Sequence, residues 1–458
     1  MRSVPKLLHF PLGGLNRAIS YRDSTTPAEN GVYGTPDSMN VVGPCPFAGR
    51  SRGGSRPGLR RFDVVSDGGD GVWFWPNGEP VVWPGEGAVE VSFSAPAENF
   101  VGPDGTTVIN PHAVFVPTAS LGSVPKSVSA SCFYRARMFV SSGSDWFCSR
   151  TGDVADWDYG GDSEDASRAA AGNVALAGAR GDDIVAFMPV GDSMLYVATA
   201  RSLWCVVGEP TSGGMTLVSD SVGCCGPNAW CFDGRNLWFM SYRGLHVLAP
   251  GEKPVYFSSS VPGMSGFGGG TLVVSDNENA GVYVFSKEDG SWYVDREAKA
   301  LWPISFADES MFPVSAAHVM DGGVDRVAVV GGDGVWRVFD PESEDDDGVA
   351  IASHVVIGPF RTSTSDDVDG MLAEVYATIG HGDELVTAGI FPANHPEGAV
   401  SAAEEDYGEA CTIYLDPTWN RVVRPRVRGP WCAIRLSSAG RWAYESMKIT
   451  CKSLGRLR

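Results

Sequence analysis

No apolar run in this 458-residue chain is long enough to cross a membrane as a helix. Histidine is scarce. The seven present are scattered, with no H-x-H, no H-E-x-x-H and no nearby thiol to act on. That removes the usual sequence signs of a catalytic zinc or a cysteine nucleophile. Neither a G-x-S-x-G elbow nor a Walker A loop occurs. Basic residues are also short: 35 Lys and Arg against 55 Asp and Glu leave a formal charge of −20. A chain built to grip nucleic acid normally shows a basic excess, so this one is expected to be repelled by DNA and by anionic membranes.

Cysteine is present ten times, but never as C-x-x-C. The opening MRSVPKLLHFPLGG lacks the sustained apolar segment of a secretory leader. Most cysteines are therefore expected to be small core residues of a reduced, cytosol-made protein. Cys224, Cys225 and Cys231 form the tightest group, yet adjacent residues in a strand point to opposite faces, which argues against a metal site. The 57 glycines and 30 prolines follow no collagen-like period and imply many turns.

The hexapeptide GGDGVW stands twice, at Gly68–Trp73 and Gly331–Trp336. Asp-Gly between apolar runs is a hairpin signal, and the aromatic opens the next strand. The same slot recurs at Trp146, Trp204, Leu245, Trp292 and Trp336, with separations of 58, 41, 47 and 44 residues. Each is preceded by a strand and a short turn, as in RMFVSSGSDWFCSR and GVYVFSKEDGSWYVD. Further apolar runs lie upstream: DDIVAFMPV, NAWCF, GTLVVSD and FPVSAAHV. Three or four short strands per unit of roughly 45 residues is the pattern of a β-propeller blade. The tryptophans are expected to pack between blades.

The chain is expected to be all-β, in three parts. Residues 1–62, rich in Pro, Gly, Arg and Asn, form an extended N-terminal arm. Residues 63–353 form a β-propeller, and 354–458, with longer strands, a C-terminal antiparallel β-sandwich. Ser163–Gly178 is the one stretch with a weak helical pattern. The acidic run Glu342, Glu344, Asp345, Asp346 and Asp347 lacks the end residues of an EF-hand and is expected to be a solvated loop. His381, Asp383 and Glu384 fall in a turn between strands. SKEDGSW is one residue short of the sialidase-type turn and has no second clean copy, so no catalytic, metal or cofactor residues are assigned.

The arm segments FPLGGLNRAISYRD and TPDSMNVVGPCPFAGRSRGGSRPGLRRF resemble the opening of propeller-bearing tail proteins of short-tailed bacteriophages, the tail nozzle, tail hub or tail tubular family. The matching positions are Gly13, Gly14, Asn40, Val41, Arg56, Pro57 and Gly58. The stretch from GDDIVAFMPV to RGLHVL and the terminal RVRGPWCAIRLSSAGRWAYESMKITCKSLGRLR are similar to the same proteins. The resemblance implies a structural protein, not an enzyme. It implies a homo-hexameric ring below the portal and adaptor, contacts with tail fibres or spikes, and a channel for double-stranded DNA that passes without specific binding. It places the chain in the virion tail, assembled in the host cytoplasm, with no membrane insertion.

On this reading Gly13, Gly14, Asn40, Arg52, Arg56, Pro57 and Gly58 are candidates for a subunit-interface arm. Glu342, Glu344, Asp345, Asp346 and Asp347 are candidates for a channel-facing acidic loop. The arm arginines (Arg17, Arg22, Arg50, Arg52, Arg56, Arg60 and Arg61) are the one basic cluster, expected to meet an acidic neighbouring subunit, with a solvated basic tail and DNA contact as the alternatives. Removing residues 1–62 is then expected to leave the propeller folded. The alternatives are another virion tail component anchoring fibres or spikes, and a carbohydrate-active or carbohydrate-binding propeller.

Overall fold

Apolar and β-branched runs broken by glycine turns dictate strands, and the structure is all-β with one α-helix among the described residues. The fold comes from a computed structural model. It describes residues 3–12, 14–16, 34–43, 53–61, 119–162, 164–174, 181–212, 214–261, 264, 270–275, 281–286, 290–321, 324–333, 335–364, 368–380, 385–416 and 422–456, and short strands between 72 and 117.

Antiparallel meanders follow one another along the chain. The first comprises Ser131–Tyr134, Arg137–Ser142, Asp145–Cys148 and Ala170–Asn173. The second comprises Ile184–Val190, Met194–Thr199, Leu203–Val207 and Met215–Ser219. The third runs through Trp230–Phe232, Leu237–Ser241, Gly244–Leu248 and Val255–Tyr256. The fourth runs through Thr271–Ser275, Gly281–Ser286, Gly290–Asp295 and Ala300–Ile304. The fifth has Pro313–Asp321, Val324–Gly331 and Trp336–Asp340 from this region. Its next strand, Gly58–Arg61, comes from the arm, with Leu59 opposite Phe339 and Arg60 opposite Val338.

The middle strands Leu237–Ser241 and Gly281–Ser286 are buried at every position, because each meander is covered on both faces. Each first strand lies against the first strand of the next meander, from Ser131–Tyr134 through to Pro313–Asp321. The slot after the turn is buried in all five: Trp146, Trp204, Leu245, Trp292 and Trp336. Phe139 and Trp146 share a core with Phe187 and Trp204 of the second meander. Met188, Trp238, Leu272 and Trp292 join the second, third and fourth. In the second GGDGVW, Gly331 closes one strand, Trp336 opens the next, and Asp333 Oδ1 accepts from Val335 N at 3.0 Å. In the first copy, Gly68 to Gly71 lie outside the described residues.

The C-terminal region is two sheets packed face to face. One is seven-stranded, built on Val368–Gly380 and Ala443–Arg456. The other is five-stranded, with Ser353–Arg361, Val386–Ala393, Cys411–Leu415 and Trp431–Ser438. Alternation sorts their faces: Val375, Ala377, Met447 and Ile449 point inward toward Ile390, Ile434 and Leu436. That core continues into Tyr283, Trp302 and Phe339 of the fourth and fifth meanders. Phe10 of the arm sits between Trp302 and Tyr444, with centroids at 5.6 and 5.7 Å.

Two expectations are corrected. The stretch read as a helix at 163–178 contains turns and the strand Ala170–Asn173. Aspartates there bond their own backbone two residues ahead, Asp162 to Glu164 N and Asp165 to Ser167 N, and this turn chemistry outcompetes a weak helix. The α-helix is instead Pro396–Glu404, with Pro in its first turn and His395 Nδ1 accepting from Gly398 N at 2.9 Å. Its Ala399 and Ala403 pack on the back of the five-stranded sheet against Phe391 and Ala433.

The arm is also woven into this chain's own sheets. Ser3–Leu8, Val41–Val42 and Gly53–Ser55 join the seven-stranded sheet, and Ser38–Met39 joins the five-stranded one. Deleting residues 1–62 thus removes strands from three sheets, and the truncated chain is expected to lose its cooperative urea transition. An unchanged transition midpoint would contradict this account of the arm.

Candidate functional site

The arm meets the body at one buried arginine. Arg56 is 2% exposed, and its guanidinium donates to both oxygens of the fully buried Asp346, with Nη1 3.0 Å from Oδ1. Nη1 also donates to Pro57 O at 2.8 Å, and Nη2 to Ser305 O at 2.7 Å. Nε donates to Asn40 Oδ1 at 3.1 Å. All five guanidinium N–H groups are thereby engaged. Asp346 Oδ1 also accepts from Leu59 N at 3.1 Å.

Asn40 completes the cluster. Its Oδ1 also accepts from Ser305 N at 2.7 Å, and its Nδ2 donates to Ser305 Oγ at 2.9 Å and Ala352 O at 2.8 Å. Its φ of +55° lies in the left-handed region that asparagine tolerates. The cluster therefore joins the arm, the exit of the fourth meander, the flank of the fifth and the entry to the sandwich. Gly58 is required beside it, since a side-chain carbon there would run into Asp345 O.

A more exposed ladder of ion pairs continues along the fifth sheet. Arg60 Nε pairs with Asp340 at 2.9 Å, and Arg326 reaches the same carboxylate at 3.3 Å. Arg61 pairs with Asp347 at 2.7 Å, and Arg337 bridges Asp347 at 3.2 Å and Asp333 at 2.7 Å. Burial pushes the Asp333 and Asp340 carboxyls up, but hydrogen bonds from Arg337 and Arg60 outweigh it and hold both below the usual range. Similar bridges tie neighbouring meanders. The fully buried Arg137 donates to Glu209 Oε1 at 2.6 and 3.0 Å, and Arg296 pairs with Asp233 at 3.0 Å.

The interface reading of the arm changes accordingly. Asn40, Arg56, Pro57 and Gly58 are buried within their own chain, so their contacts are internal. Gly14, at φ +68°, bridges to Leu301. Gly13 and Arg52 lie outside the described residues, as do Arg17, Arg22 and Arg50. The acidic run is not a uniformly solvated loop. Asp345 and Asp346 form a short strand, Asp347 is paired, Glu344 meets Arg441 at 3.3 Å, and Glu342 is exposed.

Among the described residues no three His, Cys, Asp or Glu side chains are grouped to hold a metal ion. Cys148 and Cys224 are pushed up to about 11 and about 12 by burial, the opposite of an activated thiol. Ser241 Oγ lies 3.2 Å from His246 Nδ1, but both are buried, and burial lowers the His246 pKa. His381, Asp383 and Glu384 are outside the described residues.

Sequence reasoning missed Arg137, Glu209 and Arg337. Only Arg337 carried a signal, standing four residues after Asp333 in GGDGVWR. It also missed a second basic run. Residues 421–458 hold ten of the 35 Lys and Arg and one of the 55 Asp and Glu, so the arm is not the only basic cluster.

A buried ion pair adds little net stability, but removing one partner strands a desolvated charge. Arg56→Ala is expected to destabilise the protein by about 3–5 kcal/mol in urea unfolding. Arg56→Lys is expected to recover only part of that, because an ammonium cannot reproduce the forked geometry. A wild-type midpoint for Arg56→Ala would show that the cluster does not hold the arm.

No family model and no curated protein matches the chain. Several solved structures are similar over part of it. One is the extracellular domain of a hybrid two-component system of B. thetaiotaomicron, 13% identical over 47% of this chain and 26% of that one, with a TM-score of 0.33. Another is the extracellular domain of a one-component system of the same organism, 9% identical over 60% and 34%, with a TM-score of 0.34. A third, from a second hybrid system, is 11% identical over 50% and 32%, with a TM-score of 0.32. This chain thus spans a quarter to a third of the structures it matches, at TM-scores that define neither a shared fold nor a shared activity.

Proposed function

We propose that this protein is a structural component of a short-tailed phage virion, a tail nozzle or hub whose meanders are the blades of a β-propeller. The carrying observation is the succession of antiparallel meanders whose first strands stack one on the next, with the arm strand Gly58–Arg61 supplying the fourth strand of the last. Pairing an N-terminal strand with the final blade ties the two ends of the propeller region together, which suits a part that must resist opening. The sandwich that follows and the order of arm, blades and sandwich match the family the sequence resembles. The dominance of paired carboxylates over any reactive cluster favours a scaffold.

In that role six copies, at −20 each, give a ring on the order of −120. A wall of that sign repels phosphate and lets DNA slide past without sticking. Portal and adaptor proteins above and fibres or spikes at the side are the partners this reading requires. The test is quantitative mass spectrometry of purified, nuclease-resistant, DNA-containing particles from the source culture. About six copies per particle are expected. Absence from the particles, with the chain found soluble or secreted, would overturn the reading and favour a glycan-processing propeller.

A further inference from the structure

Charge is unevenly placed on this chain. The last 38 residues, 421–458, carry a net +9, which leaves −29 on the remainder of a chain whose total is −20. Some basic residues of the run are engaged locally. Arg435 donates to Ala403 O and Glu404 O at the helix C-terminus, and Arg441 meets Glu344. The strand pattern directs others to one place. Lys448, Thr450 and Lys452 alternate with the buried Met447, Ile449 and Cys451, so they share the outer face of the seven-stranded sheet. Arg424, Arg426 and Arg428 lie along its flank, exposed at every second position.

The register then sets an apolar row among these cations. Leu7 stands opposite Lys448, Lys448 opposite Tyr376, and Tyr376 opposite Val422. Leu7, Tyr376 and Val422 are 53%, 41% and 48% exposed. Neighbouring strands are about 4.8 Å apart, so Lys448 stands inside the row, with Leu7 on one side and the adjacent Tyr376 and Val422 on the other. Glu374 enters the patch and pairs with Arg424 at 3.0 Å. Among the described residues, the side chains of Arg426, Arg428, Lys448 and Lys452 make no hydrogen bond or ion pair.

An apolar centre with Tyr and Arg inside a charged rim is the anatomy of a protein contact. A surface for duplex DNA would instead be polar throughout and more uniformly positive. The acidic complement is on this chain itself. Asp182, Asp183, Asp192 and Asp220 are exposed in the turns of the second meander, and the whole chain outside the basic run is strongly negative. We propose that the outer face of the seven-stranded sheet docks the acidic surface of a second copy of this chain. The proposal rests on the ring reading and deepens it by naming the contact face. Salt sets its strength, because the attraction between exposed charges is screened within about 10 Å at 0.1 M ionic strength.

Sedimentation equilibrium of the full chain tests it, at low and high salt and up to millimolar protein. The wild type is expected to self-associate at low salt and to dissociate at high salt. The double variant Arg428→Glu, Lys448→Glu and the single variant Tyr376→Ala are each expected to weaken association about tenfold or more. All three positions are exposed, so the unfolding midpoint should stay within the wild-type range. Should the double variant fail to fold, Tyr376→Ala carries the test.

A wild type that stays monomeric throughout overturns the proposal, and so does association that both variants retain. Binding of a labelled DNA duplex that the variants abolish, without self-association, overturns it in favour of nucleic acid. The ring reading fails separately. Particles that lack the chain refute the virion role even when the face mediates association, and particles assembled normally with the variants refute the face alone.

Discussion

A guanidinium with all five N–H groups bonded inside the protein is the constraint on which the rest of this fold depends. Burying Arg56 without Asp346 would leave a charge out of water, and burying Asp346 without Arg56 would do the same. The two must arrive together, and they come from positions 290 residues apart. Folding the arm is therefore coupled to folding the last meander. Asn40 and Ser305 extend the same coupling to the fourth meander, and Ala352 extends it to the sandwich.

Each meander alone is a small open sheet with apolar residues on both faces, and it is stable only when neighbours cover them. The shared cores of Trp146 with Trp204 and of Trp238 with Trp292 supply that cover, which makes stability a matter of nearest neighbours. Such a stack is weakest at its ends. The fifth meander is protected by the arm strand paired on Trp336–Asp340, by the short strands beyond it, and by Trp302 and Phe339, whose core is continuous with the sandwich. Arginine–carboxylate bridges such as Arg137–Glu209 fix how one sheet sits on the next, a task that apolar contact does less specifically.

The hairpins were legible because their signals are local. An apolar run, an Asp-Gly or Gly-Ser turn and an aromatic lie within about fifteen residues, and the side-chain period does the rest. The helix Pro396–Glu404 was not read: its Pro in the first turn and its alanines are local signals, but it is only nine residues long and lies between two strong strand runs. The arm was not legible. Its strands are two to six residues long, and Leu59 finds Phe339 across 280 residues of chain. The buried end of the acidic run was hidden for the same reason: nothing around Asp346 distinguishes it from its exposed neighbours until Arg56 is placed beside it. The basic outer face was visible as a count of charges over 421–458, whereas its apolar row exists only through the register of four strands.

The central claim is that the arm is an integral part of the body, locked by one buried ion pair. Native-state hydrogen exchange at the Leu59 amide tests it most directly, because that N–H donates to Asp346 itself. The account predicts that Leu59 exchanges only through global unfolding, with the same free energy as the core amides of strand Trp336–Asp340. Exchange at Leu59 through a low-energy local opening, while that strand stays protected, would show that the arm is a detachable tail.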